Sequence, residues 1–174
     1  IYANKGVYNA PMMVTKIEDK YGNVLANFYP ESREVITENT AFLMANLLQG
    51  VVDEGTGRRL RFRYGFKNQI GGKTGTTQNH SDGWFIGITP DLAGGVWVGA
   101  EDRSIHFQNL SNGQGASMAL PIWALFMQKV YADKSLAVPQ SDFQKPNGVN
   151  HVLDCGDADR EGMTDYDSSD EIFD

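Results

Sequence analysis

The sequence predicts an α+β fold, an antiparallel sheet with helices packed on it. Two segments, 37–52 and 115–132, carry apolar residues at spacings of three and four, the period of a helix with a buried face. Between them lie three short strand-like runs, 69–77, 83–89 and 95–100, the last two joined by the tight loop 90–94. An alternating hairpin comes before all of these, so the order is hairpin, helix, three strands, helix.

The elements follow in chain order. Met13, Thr15 and Ile17 alternate with Val14, Lys16 and Glu18, Tyr21-Gly22-Asn23 makes a turn, and 24–28 returns as the second strand. Thr37 is a good N-cap for the first helix, with Thr40 as a competitor. Phe42, Leu43, Met44, Leu47, Leu48, Val51 and Val52 form its apolar face. Glu54-Gly55-Thr56-Gly57 breaks the helix, and Arg58, Arg59, Arg61, Arg63 and Lys67 follow as a basic patch. That patch is either a solvated face of a short amphipathic turn or a rim that attracts an anionic substrate. The loop 90–94, Pro-Asp-Leu-Ala-Gly, is short enough for an antiparallel hairpin. Glycines inside the strands mark close backbone approach or tight packing of a helix on the sheet. The last helix spans 115–132, with Ala119, Leu120, Ile122, Trp123, Leu125, Phe126, Val130 and Tyr131 as its apolar set. Pro121 is read as near its start, where a missing N–H costs little. Trp84, Trp97 and Trp123 are expected in the core, and His80 is expected to be exposed. Residues 1–134 thus form the folded part. Residues 135–174 read as a linker and an acidic, poorly ordered tail.

Composition excludes several function classes. The 174 residues are enough for one domain, and 41% hydrophobic content with 11% aromatics is globular. The net charge of −7 is uneven: residues 154–174 hold nine acids against Arg160, a net −8, which leaves +1 for the remainder. A nearly neutral folded part gives no reason to expect nucleic acid or a membrane surface as partner. Cys155 is the only cysteine, so no internal disulfide can form. No apolar run reaches the roughly 18 residues of a membrane span. The chain opens on IYANKGVY without an initiating Met, as a piece cut from a longer chain would.

The segment GGKTGTT, 71–77, carries the chemistry. Its Gly-Lys-Thr resembles the close of a phosphate-binding loop, but that loop needs Gly at position 67, where Lys67 stands, and Gly65 is two places out of register. The loop must also open a helix, whereas here more threonines and another strand follow. Nucleophilic catalysis by this chain alone is not supported: no serine is followed by Lys three residues later, no Ser-x-Asn occurs, and His80, His106 and His151 show no triad spacing. Metal-ligand spacing is absent, and no cofactor is implied. What remains is a strand with Lys73 as a fixed positive charge, Thr74 and Thr76 as hydroxyl donors, and Gly75 as clearance for another backbone. An extended peptide ending in a carboxylate can pair with such an edge, held by the hydroxyls and the ammonium. Backbone N–H groups there can serve as oxyanion donors. Strand alternation puts Lys73 and Thr74 on opposite faces, so a shared ligand needs strong twist or a site at the strand edge.

Three runs carry a resemblance: Lys73-Thr74-Gly75-Thr76-Thr77, then 82–90 (DGWFIGITP), then Gly95-Val96-Trp97-Val98-Gly99. In this order and spacing they resemble the end of the transpeptidase domain of class A penicillin-binding proteins. Gly50-Val51-Val52 with Gly55-Thr56-Gly57, and Ala119-Leu120-Pro121-Ile122-Trp123, fit the same family, and the match covers 6–131. The resemblance implies a partial β-lactamase/transpeptidase-like fold and a D,D-transpeptidase that cross-links peptidoglycan stem peptides through a serine acyl-enzyme, with β-lactams acylating the same serine. It implies that Lys73 organises the site electrostatically and that the Thr76 backbone N–H is half of the oxyanion hole. Thr74, Gly75, Thr76 and Thr77 then contact the substrate. Of the three family motifs only the last is in this chain, so the nucleophile is expected upstream of Ile1 and the chain alone is expected to be inactive. The parent is expected at the periplasmic face of a bacterial inner membrane, anchored by a helix outside this chain, and is read as a bifunctional glycosyltransferase–transpeptidase. The family's sheet has five strands, so the edge beside 95–100 is expected to be apolar and open to the missing half or to self-association. Two alternatives stay open on these residues: a serine β-lactamase-like hydrolase and a non-catalytic penicillin-binding sensor or scaffold.

Overall fold

The computed structural model describes residues 1–149. The acidic run, His151 and Cys155, and with them the expectation of a poorly ordered tail, lie outside the described residues. Strand β1 (Val7–Asn9) pairs with β4 (Ser32–Glu34), and β2 (Lys16–Glu18) pairs with β3 (Val24–Asn27), both antiparallel. The expected hairpin is therefore present but shorter, with Met13 and Val14 outside it. Its turn is built by Asp19, whose carboxylate accepts from the Tyr21 and Asn23 amides and from Asn23 Nδ2 at 2.8–2.9 Å. The β1/β4 pair was not anticipated, because three-residue strands carry no readable alternation.

Helix α1 (Glu38–Asp53) begins at Thr37, whose hydroxyl accepts the Thr40 N–H at 3.2 Å, so the competition between the two threonines resolves in favour of Thr37. Its buried residues are Ala41, Ala45 and Val52, while Leu47 is exposed. The seam is thus narrower and smaller than the apolar face predicted, because α1 lies against backbone. A Cβ on Gly71 would sit 3.0 Å from Leu48 Cβ, and only glycine lets the helix come this close. Helix α2 (Arg59–Phe62) follows a loop at 54–58.

The main sheet has three antiparallel strands in the order β5 (Gly71–Thr76), β6 (Asp82–Ile88) and β7 (Ala93–Gly99). A four-residue helix α3 (Leu110–Gly113) leads into α4 (Gly115–Ala132), which covers one face of this sheet. The fit again rests on glycine: a side chain at Gly87 would run into the Trp123 indole and one at Gly83 into Met118, while one at Gly94 would sit tightly, 3.3 Å from Trp123 Nε1. Trp123 stacks edge-on against Phe85, ring centroids 5.4 Å apart, and meets Phe66 at 6.2 Å, inside a core that includes Val52, Leu60, Ile70 and Leu120.

Several expectations are corrected here. Trp123 is core, but Trp84 and Trp97 are opposite each other across β6 and β7 and about half exposed, on the sheet face that α4 does not cover. Ile122, Leu125 and Phe126 are also exposed, on the outer side of α4. Pro121 is the seventh residue of α4, past the first turn, so the carbonyl of Ser117 loses an intrahelical partner there. Beyond α4, residues 135–149 contain no helix or strand, yet the segment is tied back. Phe143 N donates to Gln69 Oε1 at 2.8 Å, and Lys5 Nζ to Gln144 Oε1 at 2.9 Å.

Candidate active site

Strand β5 is an edge strand, and its pairing decides what faces outward. Thr77 N donates to Asp82 O at 3.1 Å, so 77 and 82 form a hydrogen-bonded pair of the antiparallel ladder. Such pairs alternate, and with the register Thr76↔Gly83 and Thr74↔Phe85 the N–H and C=O of Thr74 and Thr76 face the open edge. Lys73 lies on the pleat of Ile86, opposite to Thr74, yet its ammonium curls over the edge and donates to Thr74 O at 2.8 Å. The difficulty of bringing Lys73 and the threonines to one ligand is resolved by the edge itself rather than by a face.

Each threonine hydroxyl has a defined partner. Thr74 Oγ1 is 2.8 Å from Thr56 Oγ1. Thr76 Oγ1 accepts the N–H of Gly115, the first residue of α4, at 3.0 Å. An N–H can only donate, so the Thr76 oxygen must accept and its own proton is free to donate outward. Thr77 differs: its hydroxyl accepts from Asp82 N at 3.1 Å and lies 3.1 Å from Ser81 Oγ, which ties it into the turn after the strand. The structure therefore brings Lys73, Thr74, Gly75 and Thr76 to one edge and leaves the Thr77 hydroxyl behind.

The turn itself is unusual. Asn79 and His80 both have positive φ, 60° and 56°, which costs on the order of 1–2 kcal/mol for a non-glycine residue. Phe107 N holds it by donating to His80 O at 3.2 Å. His80 is half-buried rather than exposed, with its Nδ1 buried and without a partner among the described residues, because Gly113 and Phe107 close over it.

The basic patch divides: Arg58, Arg63 and Lys67 are exposed, as a solvated face would have them, while Arg59 and Arg61 are turned into the fold. Arg59 Nη1 donates to Ala116 O and Ser117 Oγ, both at 2.9 Å, and so fastens α2 to the first turn of α4. Arg61 pairs with Asp53 at 2.6 Å and also donates to the carbonyls of Phe66 and Asn68. Arg59 thus ties α2 to α4, and Arg61 ties it to the end of α1 and to the segment that leads into β5. Sequence reasoning missed Thr56, Arg59 and Gly115 as neighbours of the motif. The only signal was the glycine-flanked Thr56 itself, since the separations of 18 residues to Thr74 and 39 to Thr76 leave no periodic trace.

Residues 1–117 match the family model described as the penicillin-binding protein transpeptidase domain. The chain belongs to this family. Among its relatives, penicillin-binding protein 1A of Aquifex aeolicus is 35% identical over 146 residues, covering 84% of this chain and 19% of that protein. Penicillin-binding protein 2D of Bacillus subtilis is 32% identical over 157 residues, 86% of this chain and 21% of that protein. The chain thus spans about a fifth of the length of these penicillin-binding relatives. Among solved structures, penicillin-binding protein 1A from Haemophilus influenzae superposes with a TM-score of 0.71 at 24% identity, covering 84% of this chain and 26% of that one. The D,D-transpeptidase domain of a peptidoglycan glycosyltransferase from Eggerthella lenta gives a TM-score of 0.50 at 23% identity, with 74% and 30% covered. These two likenesses bear on the fold, which is the α+β transpeptidase fold in part. No helix among the described residues is long and apolar enough to cross a membrane.

Proposed function

We propose that this chain supplies the carboxylate- and oxyanion-binding edge of a peptidoglycan D,D-transpeptidase. One observation carries the reading: the Thr74 and Thr76 main-chain groups, the Thr76 hydroxyl proton and the Lys73 ammonium all meet at the open edge of β5. The stem peptide pairs with this edge as an added strand, its terminal carboxylate accepting from the Thr74 and Thr76 hydroxyls. Gly75 leaves room for its backbone. The scissile carbonyl oxygen then sits before the Thr76 N–H, where a single oxyanion donor is worth roughly 10²–10³ in rate. Lys73 stabilises the negative charge that develops there. Thr77 holds the turn and has no direct contact with the substrate.

The nucleophile is a serine on a segment upstream of Ile1. Its Oγ bonds to the carbonyl carbon, the C–N bond breaks, and the departing D-alanine amine takes the proton. An amine from a second stem peptide then displaces the serine and forms the cross-link. A β-lactam enters the same path, its ring C–N bond breaking as the serine is acylated. The parent works on the extracytoplasmic side of the membrane, where its substrate is, and an upstream strand pairs with the outer edge of β7, which has no partner among the described residues. In the isolated chain that edge is a route to self-association.

A fluorescent penicillin tests this directly. The 174-residue chain alone should take no covalent label, while a longer form carrying the upstream segment should be labelled stoichiometrically. A covalent adduct on residues 1–174 would refute the placement of the nucleophile. A longer form that contains the upstream serine and still fails to label would favour a non-catalytic scaffold, and rapid turnover of the penicillin would favour a hydrolase.

A further inference from the structure

We infer that Thr56 is a positioning residue that sets the hydroxyl of Thr74 as a donor to the ligand carboxylate. The inference rests on the carboxylate-binding role proposed above for the β5 edge and names what orients it. Thr56 lies in the loop between α1 and α2, and its Oγ1 is 2.8 Å from Thr74 Oγ1. In a pair of hydroxyls either can donate. A carboxylate is an acceptor only, so a Thr74 hydroxyl that serves it must give its proton to the ligand, and its oxygen is then free to accept from Thr56. Thr56 is solvent-exposed, so its own oxygen can accept from water without cost. A hydroxyl that both accepts and donates is polarised, which strengthens the outer bond.

The loop is built to keep Thr56 in this position. Gly55 N donates to Gly50 O at 3.1 Å and Gly57 N to Val51 O at 2.9 Å, so both neighbours of Thr56 are bonded to the last turns of α1. A side chain at either would press on backbone: a Cβ would lie 2.9 Å from Val51 O at Gly55 and 3.0 Å from the same atom at Gly57. The chain then continues into α2, where Arg59 fixes the first turn of α4. That turn in turn supplies the Gly115 N–H to Thr76. Thr74 and Thr76 are thus prepared in the same way, each with its oxygen occupied from behind and its proton free in front.

The test uses the full 174-residue chain and needs no nucleophile. An N-acylated peptide ending in D-alanyl-D-alanine and its C-terminal amide are titrated into isotope-labelled protein, and the Thr74 and Thr76 amide resonances are followed. The acid should bind and the amide should bind less well. Thr56→Val should weaken the acid about tenfold, equivalent to about 1.4 kcal/mol, and leave binding of the amide unchanged. Thr56→Ser, which keeps the hydroxyl, should restore the acid to within about twofold. If Thr56→Val binds the acid as well as the parent does, or loses acid and amide in equal proportion, Thr56 does not orient the carboxylate donor. If the parent itself does not distinguish acid from amide, the carboxylate reading of the edge fails first and Thr56 with it.

Discussion

Gly115→Ala asks whether α4 is seated on the motif strand as tightly as the geometry says. Gly115 is the first residue of α4, and a Cβ there would meet the main-chain oxygens of Gly75 and Trp84 and lie 3.3 Å from the Gly75 carbonyl carbon. These atoms belong to the β5/β6 ladder and cannot rotate away, so the helix must lift. Overpacking costs about 1–3 kcal/mol, and contact with backbone places this case at the upper end. Lifting also stretches the 3.0 Å bond from Gly115 N to Thr76 Oγ1, a further loss of about 1 kcal/mol. The expected total is about 4 kcal/mol, or a fall in Tm on the order of 10 °C for a domain of this size. Gly50→Ala is the matched control. Gly50 lies in α1, exposed, with nothing within 4 Å of its Cβ position, so the same substitution should stabilise by about 1 kcal/mol through helix propensity. Thermal unfolding by circular dichroism reads both. If Gly115→Ala is neutral or stabilising, the helix start is not fixed against β5, and the Thr76 hydroxyl loses its anchor.

Two further outcomes follow from the same structure. Arg61→Met should destabilise by about 2 kcal/mol, since it leaves Asp53 and the carbonyls of Phe66 and Asn68 without their donor; chemical denaturation should show a lower midpoint with an unchanged slope. The hairpin turn should respond to acid: the bonds from Asn23 and Tyr21 hold the Asp19 carboxyl below its ordinary value. A depressed folded pKa means that the contribution is present above the unfolded pKa and is lost as pH falls through the folded one. The Asn23 amide shift should therefore titrate with a midpoint below 3.8, and a midpoint at or above that value would remove the turn from Asp19.

Legibility depended on how far apart the cooperating residues lie in the chain. The three strands, the hairpin between β6 and β7, and the extent of α4 were readable because they follow from alternation, helical period and turn residues, all local properties. That Lys73, Thr74 and Thr76 offer a cation and hydroxyls on one strand was readable from residue type. The expected orientations of Trp84 and Trp97 failed, because hydrophobicity states that a side chain prefers burial and not whether anything covers it. Arg59 and Arg61 were misread for the complementary reason: a run of charge looks solvated until the carbonyls that two of its members serve are brought to it.

By itself, then, the sequence determined the α+β class, the order of elements and a cationic, hydroxyl-bearing strand suited to a carboxylate. Only the tertiary structure decided that this strand is an open edge with Lys73 curled over it. It also decided that Thr77 turns inward and that Thr56 and Gly115 stand behind Thr74 and Thr76. The physical reason is that the contacts behind the edge, Thr56 to Thr74 and Gly115 to Thr76, join segments 18 and 39 residues apart. Their geometry is set by which glycines let the backbones approach, and no single stretch of sequence contains both partners.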